Sequence, residues 1–194
     1  GVARMVQRSG ASAVIAEGGE AGGHIGELNT IALIPQVCDA VHIPVIAAGG
    51  IADSRGIAAA FMLGACCVQM GTRFLVAKEC TIHRTYKDKI LASKDIDTMT
   101  TGKRLGHPVR ALKTPFTRAF QNNENDSART IEELEEFGAG ALRKAVISGD
   151  EKEGCFMAGQ CCGLVNKEQT ADEIIREWMI QTEEALIGGS KWVK

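Results

Sequence analysis

Three short apolar runs punctuate the first 80 residues, and each closes on glycine. AVIA at 13–16 leads into a glycine-rich stretch, PVIAA at 44–48 into Gly49-Gly50, and CCVQM at 66–70 into Gly71. Runs this short, apolar on both faces, suit parallel strands covered by helices. Between them Ile31, Ile34, Val37 or Cys38, and Val41 recur at helical spacing, with Pro35 tolerable in a first turn. Asp53 or Ser54 can cap the next helix, whose apolar stripe includes Ile57 and Phe61, and Gly64 is a natural stop. The chain opens in a helix that runs into the first strand. The pattern predicts three βα units in series and the α/β class.

After residue 80 the rhythm breaks into polar, mixed sequence punctuated by Gly102, Gly106, Pro108 and Pro115, and 121–129 has the composition of an exposed loop. Thr130 with Glu133 then reads as a capping box opening a helix through Leu134 and Phe137. The device recurs at Thr170 with Glu173, opening a helix with Ile174, Ile175, Trp178, Met179 and Leu186 on one side and a stop near Gly188-Gly189.

Composition narrows the class. With 194 residues, 45% hydrophobic and 24% charged, the chain fits one compact domain, or one plus a small appendage, and not a disordered segment. A net charge of −2 with no basic block argues against nucleic acid as a partner. Apolar runs of about ten residues are too short to span a bilayer, and residues 1–15 lack a signal-peptide layout. The expectation is a soluble, cytoplasmic protein without a membrane partner. The 7 cysteines, Cys38, Cys66, Cys67, Cys80, Cys155, Cys161 and Cys162, include no C-x-x-C, and the adjacent pairs do not suit a tetrahedral zinc site. They read as small buried thiols, with no metal expected.

The chemistry lies at the strand ends, where parallel α/β sheets hold ligands. Residues 17–26, EGGEAGGHIG, let backbone approach a flat ligand closely, and His24 sits within them. Gly49-Gly50 followed at once by a capped helix start reads either as a phosphate cradle or as a tight βα turn with no ligand, which glycines also favour. Gly71 and Thr72 end the next strand one βα unit later, so both loops would meet one phosphate. Arg73 points the opposite way from Thr72 and is not assigned to the phosphate. His42, His83 and His107 read as structural or exposed.

These stretches, AVIAEGGEAGGHIG, IPVIAAGGIADSRGIAAAFMLGA and VQMGTRFLVAKE, resemble the flavin-dependent family containing nitronate monooxygenases and the FMN-type enoyl-acyl-carrier-protein reductase (enoyl reductase II). Downstream, GHPVRALKTPFTRAF and the segment 137–174 look more like the reductase branch. The resemblance implies the C-terminal part of a TIM (β/α)8 barrel with a smaller, partly helical substrate-side insertion. Residues 1–80 would hold the last three βα units, 81–163 the insertion, and 164–194 a C-terminal helix packing back on the barrel. His24 matches the active-site histidine. Glu17, Gly22, Gly23, Ala48, Gly49, Gly50, Gln69, Met70, Gly71 and Thr72 match the positions around FMN. Position 48 is Ser in some relatives, and Glu17 stands where monooxygenase relatives often carry Gln.

The implied reaction is reduction of a trans-2-enoyl thioester by NADH or NADPH through FMN. Oxidation of alkyl nitronates is the alternative, and an inactive barrel fragment is a third. The resemblance also implies an acyl-carrier-bound or small-molecule substrate and leaves a homodimer open. Lys103, Arg104, Arg110 and Lys113 would meet an acidic carrier, or form only a solvated face. The chain begins without Met inside its first helix, and barrels take about 250 residues, so a fragment of a longer protein is expected.

Overall fold

The structure is a computed structural model describing residues 1–192. The first helix, α1 (Val2–Arg8), leads into strand β1 (Val14–Glu17), and a two-residue strand, β2 (Gly23–His24), follows. Helix α2 (Thr30–Cys38), strand β3 (Val45–Ala48), helix α3 (Ser54–Met62) and strand β4 (Cys67–Gln69) continue the alternation. The strands β1, β3 and β4 form a parallel sheet in the order β1-β3-β4, which gives the α/β class expected from the apolar runs. Ala16, Val45 and Ala47 face the helical layer and are buried, whereas Ile15 on the opposite face is 50% exposed. Side chains alternate across a strand, so the helical layer covers one face, while the Ile15 face is open there and covered only toward the strand end at Ala48.

Helix α3 starts as expected: the Asp53 carboxylate accepts from the backbone N–H groups of Arg55 and Gly56. Gly64 follows the helix with φ +99°, which suits glycine. Pro35 departs from expectation. It lies well inside α2 instead of in the first turn, so the helix forgoes one internal hydrogen bond there.

Beyond β4 come the single turn α4 (Thr72–Leu75), helix α5 (Arg84–Leu91), and the hairpin of β5 (Thr98–Thr101) and β6 (Val109–Leu112). The antiparallel order β2-β6-β5 draws the His24 segment into this second sheet, so the first two expected segments interlock. Helix α6 (Pro115–Asn125) corrects the loop expected at 121–129. Thr114 and Thr117 form a capping box, Phe116 and Phe120 bury one face, and the helix persists to Asn125 despite its polar end.

Helix α7 (Ile131–Gly138) and helix α9 (Ala171–Gly188) both open with their expected capping boxes. Between them lie the turn α8 (Ala141–Arg143) and a 3-10 turn, Gln160–Leu164. Helix α9 packs on α3 through Ile174 and Trp178, and Phe74 meets the Trp178 ring edge-on at 5.5 Å. Ile175, Met179 and Leu186, expected on the same buried side, are exposed, because the contact with α3 is narrower than their stripe. Residues 193–194 of the expected C-terminal segment lie outside the described residues. No helix among the described residues is long and apolar enough to cross a membrane.

Candidate active site

The carboxyl ends of the three parallel strands stand in one row. The register pairs Glu17 with Ala48 and Ala48 with Gln69. The loops leaving these positions enclose a cavity of about 380 Å³. Gly22, Gly49, Gly50, Met70, Gly71 and Thr72 line it too, so all the expected cofactor contacts except Gly23 face one space. Gly23 is buried beside it and pairs with Arg110 of β6.

The wall is largely backbone. At Gly49, φ is +91° and a Cβ would stand 2.7 Å from the Gly18 carbonyl oxygen; at Gly22 a Cβ would stand 2.6 Å from the Ala158 carbonyl carbon. Neither position admits a side chain without movement. The backbone N–H groups of Gly50, Gly71 and Thr72 donate to no backbone acceptor among the described residues, which leaves donors for an anion.

Two braces fix these loops. The Glu20 carboxylate accepts from the Thr30 N–H at 2.9 Å, while Thr30 Oγ1 lies 2.8 Å from Glu20 Oε2 and 2.9 Å from the Gly49 carbonyl oxygen. On the other side the Gly159 N–H donates to Thr72 Oγ1 at 2.9 Å. That bond uses the hydroxyl as acceptor and leaves its own proton to donate.

One element of the expected cradle differs. The amino end of α3 does not join this cavity: the Asp53 carboxylate occupies its N–H groups, and Asp53 lines a separate cleft with Arg73. An anionic cap satisfies the helix terminus and removes it as an anion site. Arg73 turns from the glycine-walled cavity and donates to Gln169 at 2.6 Å.

His24 faces a second, apolar cavity of about 350 Å³, walled by Leu105, Val109, Phe116, Phe120 and Leu134. Leu142 and Met157 line both cavities and form the partition between them. The Tyr86 hydroxyl donates to the Met157 carbonyl at 2.6 Å and steadies that partition. His107 is exposed, as expected, and also lines the apolar cavity, its ring centroid 6.4 Å from that of His24. The glycines at 102 and 106, which close a hairpin before β6, are the sequence signal for this return; the wall residues from α6 and α7 carry none. His83 does cap α5, accepting from the Thr85 N–H.

Partial desolvation raises the Glu17 carboxyl above its usual value. Burial pushes the Cys155 and Cys161 thiols up to about 11. The expectation of uniformly buried cysteines needs correction, because Cys66 and Cys67 are exposed and Cys38 and Cys80 half-buried. Among the four expected basic contacts, Arg110 is not part of a solvated face: it is half-buried and donates to the Gly19 carbonyl at 3.0 Å. Arg104 is tied to backbone carbonyls of Glu124, Asp126 and Arg129. Lys103 and Lys113 are exposed.

Residues 2–181 match the family described as nitronate monooxygenase. A probable nitronate monooxygenase of Staphylococcus saprophyticus is 35% identical over 192 residues, covering 93% of this chain and 53% of that protein. The (3aS,4S,5R,7aS)-5-hydroxy-7a-methyl-1-oxo-octahydro-1H-indene-4-carboxyl-CoA dehydrogenase of Rhodococcus jostii is 46% identical over 123 residues, 63% of this chain and 35% of that one. The solved structure of FabK from Thermotoga maritima superposes with a TM-score of 0.95 at 48% identity, covering 99% of this chain and 61% of FabK. The chain thus spans about a third to a half of these curated relatives.

Proposed function

The chain belongs to the nitronate monooxygenase family, and from that premise we propose that it forms part of an FMN-dependent reductase of trans-2-enoyl thioesters, of the FabK (enoyl-acyl-carrier-protein reductase II) kind. The observation that carries this reading is the contact between two unlike cavities. A glycine-walled space meets an apolar, histidine-bearing one across Leu142 and Met157. Small-molecule sites combine apolar walls with a few convergent polar groups, and the second cavity fits that description. Greater identity to FabK over nearly the whole chain favours the reductase branch, and the CoA-linked name of the Rhodococcus relative agrees with a thioester.

The residues present suit FMN. Glycine at 22 and 49 lets these loops pack directly on the Ala158 and Gly18 backbone, which shapes a wall suited to a flat ring, and the free N–H groups of Gly50, Gly71 and Thr72 suit its phosphate. Glu17, Ala48, Gln69 and Met70 complete the walls, and Gly23 supports them from behind. When bound, FMN supplies hydride chemistry that no side chain provides. The protein's own part is to hold the enoyl thioester in the apolar cavity. His24 hydrogen-bonds the thioester carbonyl or moves the proton at the α-carbon. NADH or NADPH is the proposed reductant.

In this reading β1, β3 and β4 are neighbouring strands of a TIM barrel, residues 81–163 are a substrate-side insertion, and 164–192 pack back on the barrel. The open face at Ile15 agrees with further barrel strands completing the protein. Nitronate oxidation is the second reading, favoured by the family match and the Staphylococcus relative.

The test uses the intact protein that carries this chain, loaded with FMN and held without oxygen. Bleaching of the flavin band by NADH or NADPH, reversed by an enoyl thioester, is the expected result. Bleaching only by a nitronate would assign the monooxygenase activity instead. Bleaching by neither would leave the reading of a non-catalytic barrel.

A further inference from the structure

The apolar cavity holds two imidazoles, and the proposed reaction as outlined uses one. His24 is on β2, paired with Val109. His107 approaches from the loop between β5 and β6, at a ring-centroid distance of 6.4 Å and an interplanar angle of 79°. No hydrogen bond joins the two rings among the described residues, so each has nitrogen atoms to offer a ligand.

The loop is built to hold His107 where it is. Gly102 and Gly106 have φ +75° and +74°. The His107 N–H donates to the Gly102 carbonyl at 3.2 Å, and the Gly106 N–H to the Lys103 carbonyl at 3.0 Å. From α6, the Glu124 carboxylate accepts from the N–H groups of Gly102 and Arg104 at 3.1 and 2.8 Å. The next residue, Pro108, accepts from the Ile25 N–H at 3.0 Å, which locks the loop to the segment carrying His24. His107 is exposed while it lines the cavity, and these contacts fix the backbone that presents it there.

We propose that His107 is a second catalytic residue, donating a hydrogen bond to the substrate oxygen that gains charge while His24 handles the proton at the adjacent carbon. This assignment rests on the reductase reading and deepens it. Hydride from NAD(P)H arrives at the β-carbon, and the C=C electron pair moves onto the thioester oxygen as an enolate. A proton then reaches the α-carbon, forming the new C–H bond and restoring C=O. His107 is unchanged at the end, and the net addition is one hydride and one proton. Few groups in this cavity can share the transient negative charge. Besides the imidazoles, its polar lining comprises Thr101, Glu135 and Cys155; the carboxylate has the wrong sign, the Cys155 S–H is a weak donor, and the Thr101 hydroxyl is the other donor that could reach such an oxygen. A donor aimed at a developing oxyanion in an apolar site contributes about 10²–10³ in kcat.

The test compares His107→Ala, His107→Gln, His24→Ala and the double variant in the intact FMN-loaded protein. An enoyl thioester with NAD(P)H and an alkyl nitronate with oxygen serve as substrates. Expected for His107→Ala is a fall of about 100-fold in kcat with KM and FMN dissociation constant within about twofold of wild type. His107→Gln, which keeps an N–H donor, recovers part of that loss. The double variant loses less than the product of the single effects, because both groups act on one transition state. A kcat for His107→Ala within twofold of wild type, or a loss matched by weaker FMN binding and lower Tm, would overturn the proposal. Wild-type turnover of the nitronate alone would sink the reductase reading, and the same variants on that substrate would still decide the role of His107 at a nitronate oxygen. No turnover of either substrate would overturn both.

Discussion

The two cavities on either side of Leu142 and Met157 are built in opposite ways. The glycine-walled one is a backbone structure, made by consecutive loop residues at neighbouring strand ends and braced by Thr30 and Gly159. The apolar one is a side-chain structure, assembled from β2, the β5–β6 loop, α6 and α7. A backbone wall has little freedom to adapt, since every addition at Gly22 or Gly49 meets other main-chain atoms. A side-chain wall changes with each substitution and leaves the main chain in place. Under the proposed function, invariant cofactor chemistry belongs to the first kind of site and substrate range to the second.

The sharpest way to separate the two is His24→Ala. Turnover should fall by about 10²–10⁴, while FMN affinity, measured by fluorescence quenching, stays within twofold. Loss of flavin with unchanged turnover per bound flavin would instead join His24 to the backbone site. Gly49→Ala is the reciprocal change. A side chain forced into that conformation costs roughly 1–3 kcal/mol, and FMN affinity should weaken about ten- to a hundredfold, with KM for the thioester unchanged in the flavin-loaded fraction.

Each cavity also carries one buried thiol, Cys161 in the first and Cys155 in the second, both pushed up to about 11. At pH 8 only about a thousandth of each is thiolate, so both should label far more slowly than Cys66 and Cys67. FMN should slow Cys161 further, and a saturated acyl thioester Cys155, as read by mass spectrometry of alkylated peptides. Crossed protection would show that the two spaces are not separate.

The smallest effect is expected at Glu17→Gln. Burial raises the folded-state value of this carboxyl above the usual 4.5, so its ionisation opposes folding. The penalty is absent below about pH 4.5, grows as pH rises through the raised value and is complete above it. The variant should therefore gain about 1–2 °C in Tm at pH 7 and nothing at pH 4. A gain at both would separate it from ionisation.

The same contrast explains what could be read from the chain in advance. Asp53, Thr130 and Thr170 announce helix starts because capping is local, and the expected cofactor positions crowd around consecutive glycines at strand ends. Residues 121–125 misled because their polar composition masks a helix anchored further back by Thr114 and Phe116. Pro35 shows tertiary packing overriding a local preference, with Ile34 fully buried beside it. His107 was obscured for another reason. Its partner His24 is far away in sequence, and only the pairing of β2 with β6 brings them together. Leu142 and Met157 have no local signature at all, since a partition is defined by the two spaces it divides.

The bond from the Gly159 N–H to Thr72 joins residues 87 positions apart. On a ribosome, both glycine loops would emerge long before the segment that closes over Gly22 and orients the Thr72 hydroxyl. Long-range closures of this kind come late in folding. Under the proposed function, flavin capture would wait for this later segment, and a chain released before residue 159 would carry every glycine of the cradle without a finished seat for the cofactor.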